Sequence, residues 1–491
     1  MESIGEAMGR TFFGLLLTLA LAVLVVPLCF YAGPPVLAAL GHEQPRRQVV
    51  VPAHQQPPAR LTSDGTEFPV PAGPGSVPPD PAKLAGLLDA ELVLSGSGTF
   101  SGTVLDGLTG EVLYDLGGGA PVTPASSLKI LTAAAALSVL GSDTRFQTTV
   151  HEGTEPGTVV LAGGGDVLLG SGTSDPDSTV GRAGLQTLAE ETAAALAPIS
   201  RGTTVSVRVD DTLFTGPALS PSWNPEDVAA GEAAPLYPLA LNSAWAVEGQ
   251  QSGPRAGDAA LAAGEAFARH LAAAAAEYGF GVAPGVRRGT ADDAAGLLAS
   301  ASSAPVSEQV QQMLLASDNY LAEALGRMTA LARGGEASFD GAAAAVVSAV
   351  SELGVDTAGL DPADVSGLGG GTAISARQLA GTVQAALTSA DKSVRDLPYS
   401  LPVAGLSGTL ASRFTGAGSA AGTEGQAPPA GLIRAKTGTL FAATSLSGFV
   451  TDADGRLLAF AFVANGLEAN TGEARAAVDA AAAALAACGC S

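Results

Sequence analysis

A chain of 491 residues exceeds one ordinary domain, and its 47% hydrophobic content is enough to bury a core. A formal net charge of −23 repels phosphate backbones and leaves nucleic-acid binding without an electrostatic footprint. Three cysteines (Cys29, Cys488, Cys490) cannot make a disulfide framework, and four scattered histidines form no ligand-like pair, which argues against a zinc site or a histidine-based triad.

Along the chain, Thr11 to Tyr31 reads TFFGLLLTLALAVLVVPLCFY without a charge, close to the roughly 20 residues a helix needs to cross a bilayer. Residues 1–33 are therefore read as a membrane anchor, with a cleaved export signal as the alternative, since Val36-Leu37-Ala38 is a passable cleavage site. Either reading places the bulk of the chain on the extracytoplasmic side, anchored in one case and secreted in the other. Residues 34–81 are rich in proline and predict an extended tether.

The folded part is expected from residue 82. Ser97 to Leu116 alternates and turns at Leu108-Thr109-Gly110, which predicts a β-hairpin. Ser126 to Leu140 has a helical pattern with an apolar body. Phe146–Val150, Thr158–Leu161 and Thr203–Val209 read as strands, and Ala256–Tyr278 and Ser307–Ala332 as helical. Leu440 to Asn465 holds two strands around Asp452-Ala453-Asp454-Gly455, and Glu473 to Ala487 forms a closing helix. Cys488 and Cys490 flank a single glycine, and an exported tight turn would let them pair.

The chemistry is carried by lysine, of which there are four: Lys83, Lys129, Lys392 and Lys436. A desolvated lysine can lose its proton, whereas arginine effectively cannot. In PASSLKILTAAAAL, Ser126 and Lys129 are three apart and share a helix face. An apolar helix around them would drive the amine toward its neutral form and make it a base for the serine hydroxyl. Ser389-Ala-Asp-Lys392 repeats the spacing, but charged residues and a proline follow it, so that copy reads as chance. Ser317-Asp318-Asn319 lies between apolar runs, and Lys436-Thr437-Gly438-Thr439 opens a strand-rich segment. Each alone is weak. Ser-x-x-Lys, then Ser-Asp-Asn, then Lys-Thr-Gly in this order is the trio of penicillin-binding proteins and serine β-lactamases.

The sequence resembles the D-alanyl-D-alanine carboxypeptidase/endopeptidase family, the class C low-molecular-mass penicillin-binding proteins. The likeness runs from about Leu92 to Asn465 and includes VVLAGGGD (Val159 to Asp166), ASDNYLAEAL, DVSGL (Asp364 to Leu368), AKTGTL and SLSGFV. It implies an α+β transpeptidase-like fold, a five-stranded antiparallel sheet with helices on both faces. The long stretch between Lys129 and Ser317 implies an inserted region at 147–295, with 82–146 and 296–491 forming the catalytic domain. The resemblance further implies Ser126 as nucleophile, Lys129 as acylation base and Ser317 as proton relay to the leaving amine. Asn319 would hold the substrate amide, and Lys436, Thr437, Gly438 and Thr439 would hold the substrate carboxylate. The backbone N–H groups of Ser126 and Thr439 would form the oxyanion hole. No metal or organic cofactor is implied. Peptidoglycan stem peptides are the implied substrate, and β-lactam antibiotics the implied inhibitors. A β-lactamase or esterase of the same fold, and a non-catalytic wall-binding protein, are the alternatives.

Overall fold

The computed structural model describes residues 77–247, 249–292, 294–415 and 429–490. The apolar stretch Thr11–Tyr31 and nearly all of the Pro-rich segment lie outside these residues. Among the described residues no helix is long and apolar enough to cross a membrane.

The described chain opens with α1 (Pro81–Glu91), capped by the Asp80 carboxylate, which accepts from the Ala82 and Lys83 N–H groups. The hairpin β1 (Thr99–Asp106) and β2 (Val112–Leu116) follows, then the short β3 (Pro121–Val122). A 3₁₀ turn at Ala125–Leu128 leads into α2 (Lys129–Leu140). Next come β4 (Gln147–Glu152), β5 (Thr158–Ala162), β6 (Asp166–Leu169), α3 (Leu185–Ser200), β7 (Thr204–Asp210), α4 (Pro225–Ala230) and β8 (Leu239–Leu241). The chain continues through α5 (Ala259–Tyr278), β9 (Gly281–Val282), β10 (Arg287–Arg288) and β11 (Leu297–Ser302). Helices α6 (Val306–Ala316), α7 (Asn319–Ala332) and α8 (Phe339–Glu352) precede β12 (Ile374–Ser375). The remainder is α9 (Ala376–Thr388), α10 (Lys392–Arg395), α11 (Leu397–Ser400), β13 (Ile433–Leu440), β14 (Ala443–Thr451), β15 (Leu457–Asn465) and α12 (Thr471–Ala487).

The main sheet has the order β13-β14-β15-β1-β2, every pair antiparallel. Strand β15 is its centre, and its sequence LLAFAFVAN is a nearly unbroken apolar run because both faces are covered. The faces divide with period two. Leu458, Phe460 and Phe462 pack under α1 and α12, while Ala459, Ala461 and Val463 face α2 and α9. Small residues on the second side let the helical layer approach closely. Helix α2 is buried without interruption from Lys129 to Leu137, as expected of a helix that is apolar on every side. This is the α+β architecture expected from the sequence.

A second sheet has the order β10-β7-β5-β4-β11, with β9 also paired to β7. Helices α3 and α5 cover it through a separate apolar cluster that includes Leu188, Leu196, Phe267 and Leu271. Its last strand, β11, runs from Leu297 to Ser302, past residue 295, where the inserted region is expected to end. β11 pairs with β4 through Ser302↔Gln147, and Ser303 Oγ accepts from the Phe146 N–H, so the second sheet ends at Ser302. The small alanine and serine residues of LLASAS gave no strand signal. At the far end of the chain, Cys488 and Cys490 form a disulfide with their Cα atoms 5.2 Å apart.

Candidate active site

Ser126 sits in the 3₁₀ turn that starts α2, half-buried and facing a cleft of about 830 Å³. The turn is held in an unusual backbone state, since Ala125 has φ +50°, a region alanine rarely enters. Its neighbours explain how. Ser445 Oγ donates to the Pro124 carbonyl at 2.6 Å and pairs with Ser127 Oγ at 2.8 Å, which ties the turn to β14. Strand β13 lies so close that a Cβ at Gly438 would stand 2.6 Å from the Pro124 carbonyl oxygen and 2.9 Å from the Ala125 Cβ. Glycine is required there because the turn packs on the strand backbone.

Lys129, one turn on, is fully buried. Its amine contacts Ser126 Oγ at 2.9 Å, Asn319 Oδ1 at 2.6 Å and the Ser366 carbonyl at 2.7 Å. Burial pulls its pKa down to about 8, opposed by the carboxylates of Asp364, Glu323, Asp318 and Glu232. The three contacts fit either protonation state. An ammonium donates to all three. A neutral amine keeps its two hydrogens on Asn319 and Ser366, two fixed acceptors, and turns its lone pair to the Ser126 hydroxyl.

Ser317 and Asn319 enter the cleft at a helix break that the sequence pattern did not reveal. Residues 307–332, expected to be helical throughout, divide into α6 and α7 because Ser317 adopts φ +57° and Asp318 caps α7 by accepting from the Tyr320 and Leu321 N–H groups. The break turns Ser317 Oγ toward Lys436, whose amine donates to it at 2.9 Å and to the Thr437 carbonyl at 2.7 Å. Lys436 is also fully buried, and desolvation, reinforced by the charges of Lys129 and Arg413, holds its pKa well below the usual lysine range. Asn319 is engaged on both sides, since its Nδ2 donates to the Glu232 carbonyl at 2.9 Å. Its amide oxygen thus serves Lys129. Thr437 Oγ1 donates to Thr409 Oγ1 at 2.8 Å, and Thr439 stands exposed on the cleft wall.

Of the eight residues singled out in the sequence, Ser126, Ser317, Asn319, Thr437 and Thr439 line one cleft and Lys129, Lys436 and Gly438 are buried beside them, while Ser389 and Lys392 stay outside it. Lys392 has an 79% exposed side chain and pairs with Asp396 at 2.9 Å. Several site residues carried no sequence signal strong enough to single them out. Ser366 supplies a backbone carbonyl, which any residue could. Asp364 accepts from the Gly367 and Gly369 N–H groups at 2.7 Å each and from Trp223 Nε1 at 2.8 Å. Arg255, from the region between the two halves of the main sheet, lies 3.7 Å over the Trp245 ring and reaches Asp318 at 3.4 Å. Two hints were available: the DVSGL block, which holds Asp364 and Ser366, and Glu323, a lone carboxylate in the apolar face of α7 one turn after Asn319. Among the described residues no group of three or more His, Cys, Asp or Glu side chains is placed to hold a metal ion.

A sequence model of the D-Ala-D-Ala carboxypeptidase 3 (S13) family matches residues 85–261 and 245–487. The chain belongs to this family. It is similar to the carboxypeptidase DacB of Mycolicibacterium smegmatis, 37% identical over 442 residues, with 86% of this chain and 89% of that protein covered. It is also 31% identical over 447 residues to a D-alanyl-D-alanine carboxypeptidase of an Actinomadura species, covering 75% and 78% respectively. Penicillin-binding protein 4 of Haemophilus influenzae shares the fold at a TM-score of 0.61 and 18% identity, over 80% of this chain and 97% of that one. As a member of the D-Ala-D-Ala carboxypeptidases, the chain is a serine hydrolase. The β-lactamase alternative is not favoured by these relatives.

Proposed function

We propose that the enzyme removes the terminal D-alanine from peptidoglycan stem peptides through an acyl-enzyme on Ser126, and cuts D-alanyl cross-links by the same chemistry. The observation that carries this reading is the 2.9 Å contact between Ser126 Oγ and a fully buried Lys129. Neutral Lys129 takes the hydroxyl proton as Ser126 Oγ bonds to the penultimate D-Ala carbonyl carbon. The backbone N–H groups of Ser126 and Thr439 stabilise the oxyanion. The C–N bond then breaks as Ser317, bonded to Lys436, relays to the leaving amine the proton that Lys129 took, which returns Lys129 to its neutral form. Neutral Lys129 takes a proton from water as the water oxygen attacks the ester carbonyl, and returns it to Ser126 Oγ as the ester C–O bond breaks. Lys436, Thr437 and Thr439 hold the substrate carboxylate, with Gly438 allowing the strand to approach the nucleophile. Asn319 supports Lys129 in addition to the substrate amide.

β-Lactams are proposed as acylating inhibitors of the same serine. The penicillin-binding protein 4 of Haemophilus influenzae has been solved with a novel β-lactam, at a TM-score of 0.56 to this chain. The uncharged segment Thr11–Tyr31 supports an anchored, extracytoplasmic enzyme on a proline-rich tether, which at polyproline rise would reach on the order of 100 Å.

Intact-mass measurement after incubation with penicillin, paired with D-alanine release from a D-Ala-D-Ala peptide, tests the reading. D-Alanine departs and makes room for water, whereas the leaving group of penicillin stays attached. The expected result is peptide turnover together with a penicilloyl adduct on Ser126 that persists for minutes. Loss of the adduct within seconds, with rapid consumption of the drug, would establish a β-lactamase instead.

A further inference from the structure

The neutral lysine amine needs two acceptors to aim its lone pair at Ser126, and α7 delivers both. Asn319, its first residue, supplies Oδ1 directly. Glu323 lies four residues later on the same helix face. Its Oε1 accepts from the Ser366 N–H at 2.8 Å and the Val365 N–H at 3.1 Å, on the loop whose Ser366 carbonyl bonds Lys129. Thr132 Oγ1, on α2, donates to the Val365 carbonyl at 2.5 Å and clamps the same peptide from the other side. Asp364 shapes that loop locally, but Glu323 fixes it to the helix that carries Asn319.

Glu323 is fully buried, and its Oε2 has no hydrogen-bond partner among the described residues. A side chain kept only for packing would not leave a carboxyl oxygen unsatisfied in the interior. We propose that Glu323 is a positioning residue for the Ser126–Lys129 pair: by holding the Val365–Ser366 backbone it keeps the Ser366 carbonyl on Lys129 and so directs the lysine lone pair to the nucleophile. The groups facing Glu323 are Asp364 on the loop, Arg327 on its own helix and Lys129 on α2. Those facing Lys129 are Asp364, Glu323, Asp318 and Glu232, with Lys436 across the cleft. Burial and the Asp364 charge push the Glu323 carboxyl up to about 8. Its work is that of an acceptor, a role that does not require the carboxyl to be ionised.

Two substitutions separate reach from charge. Glu323→Gln keeps the acceptor at the same distance and removes the charge. Glu323→Asp keeps the carboxyl and withdraws it by one methylene. The measurement is the acylation rate at saturating penicillin across pH 6–10, with the half-saturating concentration and the thermal midpoint recorded alongside. The Gln enzyme is expected to acylate within about threefold of the wild type. The Asp enzyme is expected to lose about tenfold or more in rate at unchanged half-saturation, as for a misaligned reacting pair. Its acid limb should move to lower pH by about half a unit, because the carbonyl it releases favoured the lysine ammonium. An unchanged rate or an unmoved acid limb in the Asp enzyme would overturn the inference. So would a tenfold loss in the Gln enzyme, which decides the matter alone if the Asp enzyme does not fold. The inference rests on Lys129 as base, and Lys129→Met is the control. A Lys129→Met enzyme that acylates normally removes the base reading itself. An inactive one beside an unaffected Asp enzyme removes only the role of Glu323.

Discussion

Ser126-Ser-Leu-Lys129 and Ser389-Ala-Asp-Lys392 have the same serine–lysine spacing in one chain, yet the structure treats them oppositely. Lys129 is wholly buried against apolar neighbours and contacts its serine, whereas Lys392 is mostly in solvent and turns forward to Asp396. Ser389 ends α9, and its Oγ accepts from the Asp391 N–H. Spacing supplies reach only where both residues sit on one continuous helical face, and desolvation supplies the base. The two copies are thus an internal control for what the motif needs.

The largest expected difference between them is all-or-none. Ser126→Ala should abolish covalent labelling by a fluorescent penicillin, and Ser389→Ala should leave it intact. Equal labelling of the Ser126→Ala protein and the wild type would sink the assignment.

A graded version of the contrast uses lysine-to-arginine exchange. Lys436 is buried, and its amine fits between Ser317 Oγ and the Thr437 carbonyl. A longer, planar, permanently charged guanidinium cannot occupy that space or share the proton balance with Lys129. Lys436→Arg should lower kcat/KM on a D-Ala-D-Ala peptide by about tenfold or more, about 1.4 kcal/mol of lost transition-state stabilisation. Lys392→Arg should leave kcat/KM unchanged. An active Lys436→Arg enzyme would show that charge alone suffices at this position.

Acylation should also follow the titration of Lys129. Its folded pKa is lowered to about 8 from 10.5, so the amine gains neutral population as pH rises and is mostly deprotonated above about 8. The acylation rate should climb through neutral pH, falling roughly tenfold per unit on the acid side, and level off above 8. Stopped-flow acylation between pH 6 and 10 checks this. A limb near the ordinary lysine value would mean that burial does not tune the base.

What the sequence revealed follows from which forces are local. The hairpin at Leu108–Gly110 and the one around Asp452–Gly455 were legible because turn residues and alternation lie within a few positions. The order of the three motifs was legible because each is contiguous. The break at Ser317 was not, since both flanks are good helix and the kink exists to let Ser317 meet Lys436, far along the chain. The dual engagement of Asn319 was hidden for the same reason: its partners are Lys129 and the Glu232 carbonyl. Glu323 and Ser366 gained meaning only once the DVSGL loop was seen folded back onto Lys129. Strand β11 escaped notice because its identity as a strand comes from its neighbour β4.

The smallest expected effect concerns the stability of the second copy. The Lys392–Asp396 pair joins residues four apart, with side chains 79% and 37% exposed. Water screens such a pair, and ordering two long side chains offsets much of its attraction. The short helix α10 is started by Asp391, which accepts from the Ser393 N–H at 2.8 Å and does not depend on Lys392. Alanine also has a higher intrinsic helix propensity than lysine. Lys392→Ala should therefore shift the unfolding free energy by no more than about 0.5 kcal/mol in urea titration, with penicillin labelling unchanged. Destabilisation beyond about 1 kcal/mol, or any loss of labelling, would mean that Lys392 has a structural or functional partner that its solvated setting does not provide.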